Sequence, residues 1–271
     1  MIGINNYPGS RHDLRSAVAD AADMNEALAR MGVPGDHRLM ITDGQASADI
    51  VRLAADWLVA HAAPDAVAVF FYAGHVRKLS GSTEAIIAAD GKSVTDVDLA
   101  AHLRPLRARR AWIALAACYG GGFTETLAPG RVLSAAASST NLAYENAAFG
   151  RSYMVQFMIR EAMIDGRAAG SVQEAFGYAR TTIARDYPGR EPVQFEDGAS
   201  PLVLRPASAS PPPSAKPKPA PPPKSPPPSG GSGSGSTGGS SGSGSGSGSA
   251  GSGGTATPPC APVVGTIVRC R

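Results

Sequence analysis

Apolar residues follow two rhythms along this chain. Leu14, Val18, Ala21, Met24 and Leu28 recur at helical spacing across 13–31, where Gly32 supplies a stop and Pro34 lies just beyond. Ser47 can cap a second helix reaching about Ala62, with Ile50, Leu53, Ala54, Trp57 and Leu58 expected to face inward. Residues 66–73 (Ala-Val-Ala-Val-Phe-Phe-Tyr-Ala) and 111–117 (Ala-Trp-Ile-Ala-Leu-Ala-Ala) are apolar without alternation. Such runs suit strands buried on both faces, as in a parallel sheet. Further strands are expected at 1–4, 38–42, 84–89, 132–137 and 201–205, and helices at 97–107, 152–165 and 171–186. Residues 1–4 read as the end of a strand whose start lies upstream. The alternation of strand and helix predicts a three-layer α/β sandwich with a mainly parallel central sheet.

Composition divides the chain. Residues 1–205 have the mixture expected of one domain, whereas 206–259 turn Pro-rich and then Gly/Ser-rich. The second stretch cannot bury enough apolar surface to offset its ordering entropy, so a disordered linker is expected there. A short terminal segment, 260–271, carries Cys260 and Cys270 around Val-Val-Gly-Thr-Ile-Val and reads as a small hairpin or a stub.

The formal charge of +3 hides an asymmetry. Residues 1–205 hold 20 Lys+Arg against 22 Asp+Glu, a net of −2, and the remainder holds five basic residues and no acidic one. The domain is therefore not a basic nucleic-acid binder. No apolar run approaches the roughly 20 residues of a membrane-spanning helix, and no signal peptide is visible. Cys118 is the single cysteine of the first 205 residues, which argues against a disulfide-built fold and fits a cytoplasmic, reducing compartment.

Two residues stand out by position. His75 follows the buried run 66–73, and Cys118 follows 111–117 and precedes Tyr-Gly-Gly-Gly. Open α/β sheets bind ligands beyond the carboxyl ends of their strands, so both side chains are expected at that edge. A thiolate is the nucleophilic form of cysteine, and a nearby imidazole can generate it and later protonate a leaving amine. The glycines after Cys118 let backbone N–H groups approach an oxyanion. Either residue alone is more often a small core side chain or a surface histidine; their joint placement makes the chemical reading the stronger one.

Gly3-Ile4-Asn5-Asn6-Tyr7, Leu14 to Asp20-Ala21, Phe70-Phe71-Tyr72-Ala73-Gly74-His75, Ala117-Cys118-Tyr119-Gly120-Gly121, Ala137-Ser138 and Tyr144-Glu145 occur in the order found in the caspase/metacaspase cysteine peptidases. The chain resembles short bacterial members of that family across its first 205 residues. The separation of His75 and Cys118, 118 − 75 = 43, is close to the family's spacing of about 50. The resemblance implies peptide-bond hydrolysis by a Cys118/His75 dyad, with the Val76 and Cys118 backbone N–H groups as oxyanion donors. It implies a substrate pocket drawing on Asp20, Ala116, Tyr119, Ser138 and Glu145.

Two departures matter. Val76 stands where the family has glycine, and Ala116 stands where it has Gln or Asp. They open a second reading, a caspase-like interaction domain that binds peptides without cutting them. A carboxylate retained at Asp20 leans the expected cleavage toward Arg or Lys at P1. Asp90, Asp96 and Asp98 fall where metacaspases place calcium-binding carboxylates, but Val97 interrupts them, and solvated loop carboxylates are the preferred reading. No cofactor and no metal are expected, and the expected partner is a peptide or protein substrate.

Overall fold

The computed structural model describes residues 1–196, 200–204 and 266–268. Along the chain these form β1 (Ile2–Gly3), α1 (Ala17–Arg30), β2 (Ile41–Thr42), α2 (Ala48–His61), β3 (Val67–Ala73), β4 (Val76–Lys78), β5 (Glu84–Ile87) and β6 (Ser93–Thr95). There follow α3 (Asp96–Leu103), β7 (Arg110–Ala116), β8 (Arg131–Ala135), β9 (Tyr144–Asn146), β10 (Arg151–Ser152), α4 (Val155–Ile164), α5 (Val172–Asp186), β11 (Val193–Glu196) and β12 (Thr266–Val268). The linker expected at 206–259 lies outside the described residues.

The central sheet has the order β11-β8-β7-β3-β1-β2. Every neighbouring pair is parallel except β11 on β8. The two unalternating apolar runs are its middle strands, β3 and β7, with Phe71, Tyr72, Trp112 and Leu115 fully buried. Burial on both faces leaves no position for a polar residue, which accounts for the pattern. Helices α1, α4 and α5 pack on one another, and α2 packs on α3. These two groups flank the sheet and complete the three layers.

Several local expectations change. The first helix begins at Ala17, and its N-terminus is held from outside: Ala17 N–H donates to Asn5 Oδ1 at 2.8 Å, while the Ser16 side chain makes no cap. Helix α2 has the expected cap, Ser47, and Ala54 and Leu58 pack against the core as expected. Its most buried positions are Ala48, Val51 and Ala55, whereas Ile50 and Leu53 are exposed. Residues 84–87 do not join the central sheet but lie in an antiparallel sheet of order β4-β5-β6. Residues 201–204 form no strand, and the edge is closed by Val193–Glu196 instead. The expected helix at 152–165 is wound as a π-helix over Val155–Ile164, closed by an Asp165 N–H to Arg160 carbonyl bond.

Of the terminal segment 260–271, residues 266–268 are described. Thr266–Val268 is the third strand of a sheet of order β10-β9-β12, antiparallel to β9, and belongs to the same compact unit as residues 1–209.

Candidate active site

Strand register places the two central residues. In the parallel β3–β7 pair, Ala73 stands opposite Ala116. His75 and Cys118 each lie two residues beyond these partners. They therefore leave neighbouring strands, about 4.8 Å apart, at the same level of the sheet's carboxyl edge.

His75 is 9% exposed and held on several sides. Its backbone N–H donates to Tyr7 Oη at 2.9 Å, and its ring lies against the Tyr7 ring with centroids 4.6 Å apart. Tyr72 Oη donates to the His75 carbonyl at 2.9 Å. The ring Nε2 lies 2.6 Å from the His12 carbonyl oxygen. A carbonyl only accepts, so Nε2 carries the proton and Nδ1 is the basic nitrogen. This orienting carbonyl was not foreseen from sequence, because a backbone group leaves no residue-type signal. Tyr7 was part of the resemblance, but its hydroxyl contacts were not anticipated.

Cys118 is fully buried. Ala143 N–H points at its Sγ at 3.1 Å, with the Ala143 carbonyl oxygen 3.6 Å away. The sulfur is disulfide-bonded. Tyr119, next in the chain, sits in the left-handed region at φ 53°, an uncommon conformation for a bulky residue. Its N–H donates to the Asn141 carbonyl at 3.0 Å. Two of the following glycines use their donors internally: Gly121 N–H binds the Ala137 carbonyl and Gly122 N–H binds the Tyr119 carbonyl. They also serve packing. A Cβ on Gly122 would come within 2.3 Å of the Glu84 carboxyl carbon.

Val76 opens β4 and pairs with Ile86. The Ile87 N–H to His75 carbonyl bond, 2.9 Å, brackets that pair and makes it a non-hydrogen-bonded one. The Val76 N–H therefore points away from β5.

The acidic residues converge on the β9–β10 hairpin. Glu145 and Asp20 are both fully buried. Glu145 Oε1 accepts from Arg15 N–H at 3.0 Å and Oε2 from Ser16 N–H at 2.8 Å. Asp20 Oδ1 accepts from Ser152 N–H at 3.0 Å, and Ser152 is the residue opposite Glu145 across the hairpin. Ala116, buried at the end of β7, contributes only a methyl group. Ser138 lies in the loop after β8, its Oγ 3.1 Å from Thr140 Oγ1.

Asp90, Asp96 and Asp98 are not gathered together. Asp90 accepts from the N–H groups of Ala48 and Lys92, and Asp98 pairs with Arg52 at 2.7 Å. Asp96 is 1% exposed, rather than solvated, and accepts from Glu84 and Val97 N–H groups. Among the described residues no three His, Cys, Asp or Glu side chains form a group fit for a metal ion. An apolar hollow lined by Leu28, Trp57, Leu58, Val67 and Phe70 involves neither His75 nor Cys118.

A mainly parallel α/β sandwich with a histidine and a cysteine at matched strand ends defines the class of caspase-fold proteins. The family model described as the caspase domain matches residues 1–204, and the chain belongs to that family. Its fold is shared with protein GSU0716 from Geobacter sulfurreducens, known from a crystal structure. The TM-score is 0.58 at 16% identity over 75% of this chain and 94% of that one. No curated protein matches the sequence. Family membership supports a cysteine-peptidase-like function. Among the described residues no helix is long and apolar enough to cross a membrane.

Proposed function

We propose that this chain is a cysteine endopeptidase that cuts after basic residues. The observation that supports the reading is the register Ala73 opposite Ala116, two residues before His75 and Cys118 on neighbouring strands, with the His12 carbonyl 2.6 Å from His75 Nε2.

With the sulfur reduced, Nδ1 of His75 takes the Cys118 proton, and the thiolate attacks the carbonyl carbon of the scissile bond. The negative charge moves to the carbonyl oxygen, where the N–H groups of Val76 and Cys118 donate to it. The imidazolium returns its proton to the departing amine, leaving a thioester on Cys118. Water, deprotonated by His75, then attacks the thioester, releasing the acid and restoring the thiol.

Asp20 and Glu145 give the substrate pocket its sign. Carboxylates favour a cationic neighbour over an anionic one. A guanidinium or ammonium at P1 therefore suits this hairpin better than an Asp side chain, which would add a further anion.

Matched peptides with Arg, Lys, Asp or Ala at P1 test this, assayed under reducing conditions. Cys118→Ala should abolish cleavage. Arg and Lys should exceed Asp by more than about tenfold, the scale of one 1.4 kcal/mol interaction difference. Asp20→Asn, which keeps the acceptor for Ser152, should lower kcat/KM for Arg while leaving Ala cleavage nearly unchanged. Preference for Asp, or an unchanged Arg rate in Asp20→Asn, overturns the pocket assignment. Peptide binding without cleavage by the wild type would favour the interaction-domain reading, which Val76 and Ala116 motivate.

A further inference from the structure

Strand β12 lies along β9 with Thr266 opposite Asn146, Ile267 opposite Glu145 and Val268 opposite Tyr144. The other edge of β9 is taken by β10. The residue next to Tyr144 on this side is Ala143, whose N–H and carbonyl flank the Cys118 sulfur. The terminal strand therefore runs along the acidic hairpin toward the nucleophile. An extended peptide adding itself to a free strand edge is a general mode of peptide recognition. The β12 backbone occupies the edge that a substrate peptide would need to use.

A second observation is independent of the first. Cys118 is disulfide-bonded, and the chain has only two other cysteines, Cys260 and Cys270. In sequence Cys270 follows Val268 by two residues, and Val268 is the end of β12 nearer Ala143. Cys260 precedes Thr266 by six residues, at the opposite end. We propose that β12 is a built-in blocking peptide, seated on β9 in the substrate's place and latched by a Cys118–Cys270 disulfide, so that the peptidase stays silent until that bond is reduced. The proposal rests on the peptidase reading for its consequence, though not for the latch itself.

The redox balance is as follows. Closing the latch removes two protons and two electrons from the thiols of Cys118 and Cys270. An oxidant of the disulfide class takes them up and becomes two thiols. Opening requires a dithiol reductant. One of its thiolates attacks the Cys270 sulfur, because that of Cys118 is fully buried, and Cys118 departs as the thiolate. The second thiol of the reductant then resolves the mixed disulfide, regenerating the Cys270 thiol and leaving the reductant as a disulfide.

The test uses the full chain purified without reductant. Non-reducing peptide mapping should recover Cys118 joined to Cys270. Iodoacetamide should label Cys118 at least about tenfold faster after phosphine reduction, as expected when a protected sulfur becomes a thiolate. Cys270→Ser should label without reduction, and Cys260→Ser should stay protected. Equal labelling of Cys118 in the unreduced wild type and Cys270→Ser, or a cross-link to Cys260, overturns the latch. Peptide cleavage is read separately. A protected Cys118 in a chain that, once reduced, cuts nothing removes the peptidase reading and leaves the latch. Cleavage that is indifferent to reduction, with Cys118 always open to alkylation, removes the latch and leaves the peptidase.

Discussion

The loop bearing His75 and the loop bearing Cys118 leave adjacent strands at matched positions, yet they are held by different means. The His75 loop is fastened by side chains from elsewhere: the hydroxyls of Tyr7 and Tyr72 grip its backbone, and the His12 carbonyl takes its ring. The Cys118 loop is fastened mainly by its own backbone. Tyr119 sits in the left-handed region, and Gly121 and Gly122 turn their N–H groups onto nearby carbonyls. The base is thus positioned largely by side-chain hydroxyls, and the nucleophile by backbone groups of its own loop and of residues 137–143. The two arrangements should fail differently when disturbed.

The largest effect is expected at Gly74. A Cβ there would lie 2.3 Å from Tyr72 Oη and 2.6 Å from Tyr7 Oη, the two hydroxyls that hold the loop. Both rings are buried and neither can swing away. Gly74→Ala should cost about 1–3 kcal/mol, the usual range for overpacking. It should also lower kcat more than it raises KM, because the imidazole is displaced while the acidic hairpin is not. Thermal melting together with steady-state kinetics measures both. A variant as stable and as active as wild type would show that Tyr7 and Tyr72 do not fix this loop.

Gly122→Ala sharpens the contrast on the other loop. Its new Cβ would meet one side chain, the Glu84 carboxylate. The cost should again be about 1–3 kcal/mol, but it should be relieved by removing that side chain. Glu84→Ala combined with Gly122→Ala is expected to be more stable than the sum of the two single changes, by at least ~0.5 kcal/mol in a double-mutant cycle. Additive effects would mean that the backbone at Gly122, rather than Glu84, sets the limit.

The same contrast governs what was readable in the sequence. Strands β3 and β7 announce themselves because burial on both faces removes polar alternation, and the residues just past their ends mark the site. The glycines after Cys118 were visible. The N–H groups of Gly121 and Gly122 are used internally, and the missing Cβ of Gly122 accommodates Glu84. The fastening of His75 was largely invisible, since a carbonyl at His12 and a hydroxyl reaching across from Tyr7 depend on distant segments meeting. Strands β9 and β10 were missed for a related reason: each is three residues or fewer, too short for any period to register. The inward face of α2 was read partly right: Ala54 and Leu58 pack on the core, while Ile50 and Leu53 are exposed.

The smallest effect concerns Glu84 itself, which supports the Cys118 loop from behind. Its side chain is 1% exposed, and neither carboxylate oxygen has a hydrogen-bond partner among the described residues, although Lys78 Nζ lies 3.2 Å from Oε1. Burial raises its pKa above the ordinary 4.5, and the nearby Lys78 ammonium only partly offsets this. A carboxyl whose pKa is raised by folding favours the folded state when protonated. Its favourable contribution is fully present below pH 4.5 and is lost as pH rises through the folded-state value. Glu84→Gln removes the titrating group while keeping its shape. The variant should therefore melt above wild type at pH 7, and the gap should narrow as the pH falls toward 4.5. Parallel melts of the two proteins across that range decide the matter. A gap that is constant with pH would assign the difference to packing, and a variant less stable than wild type at pH 7 would show that the Lys78 ion pair outweighs the burial of the charge.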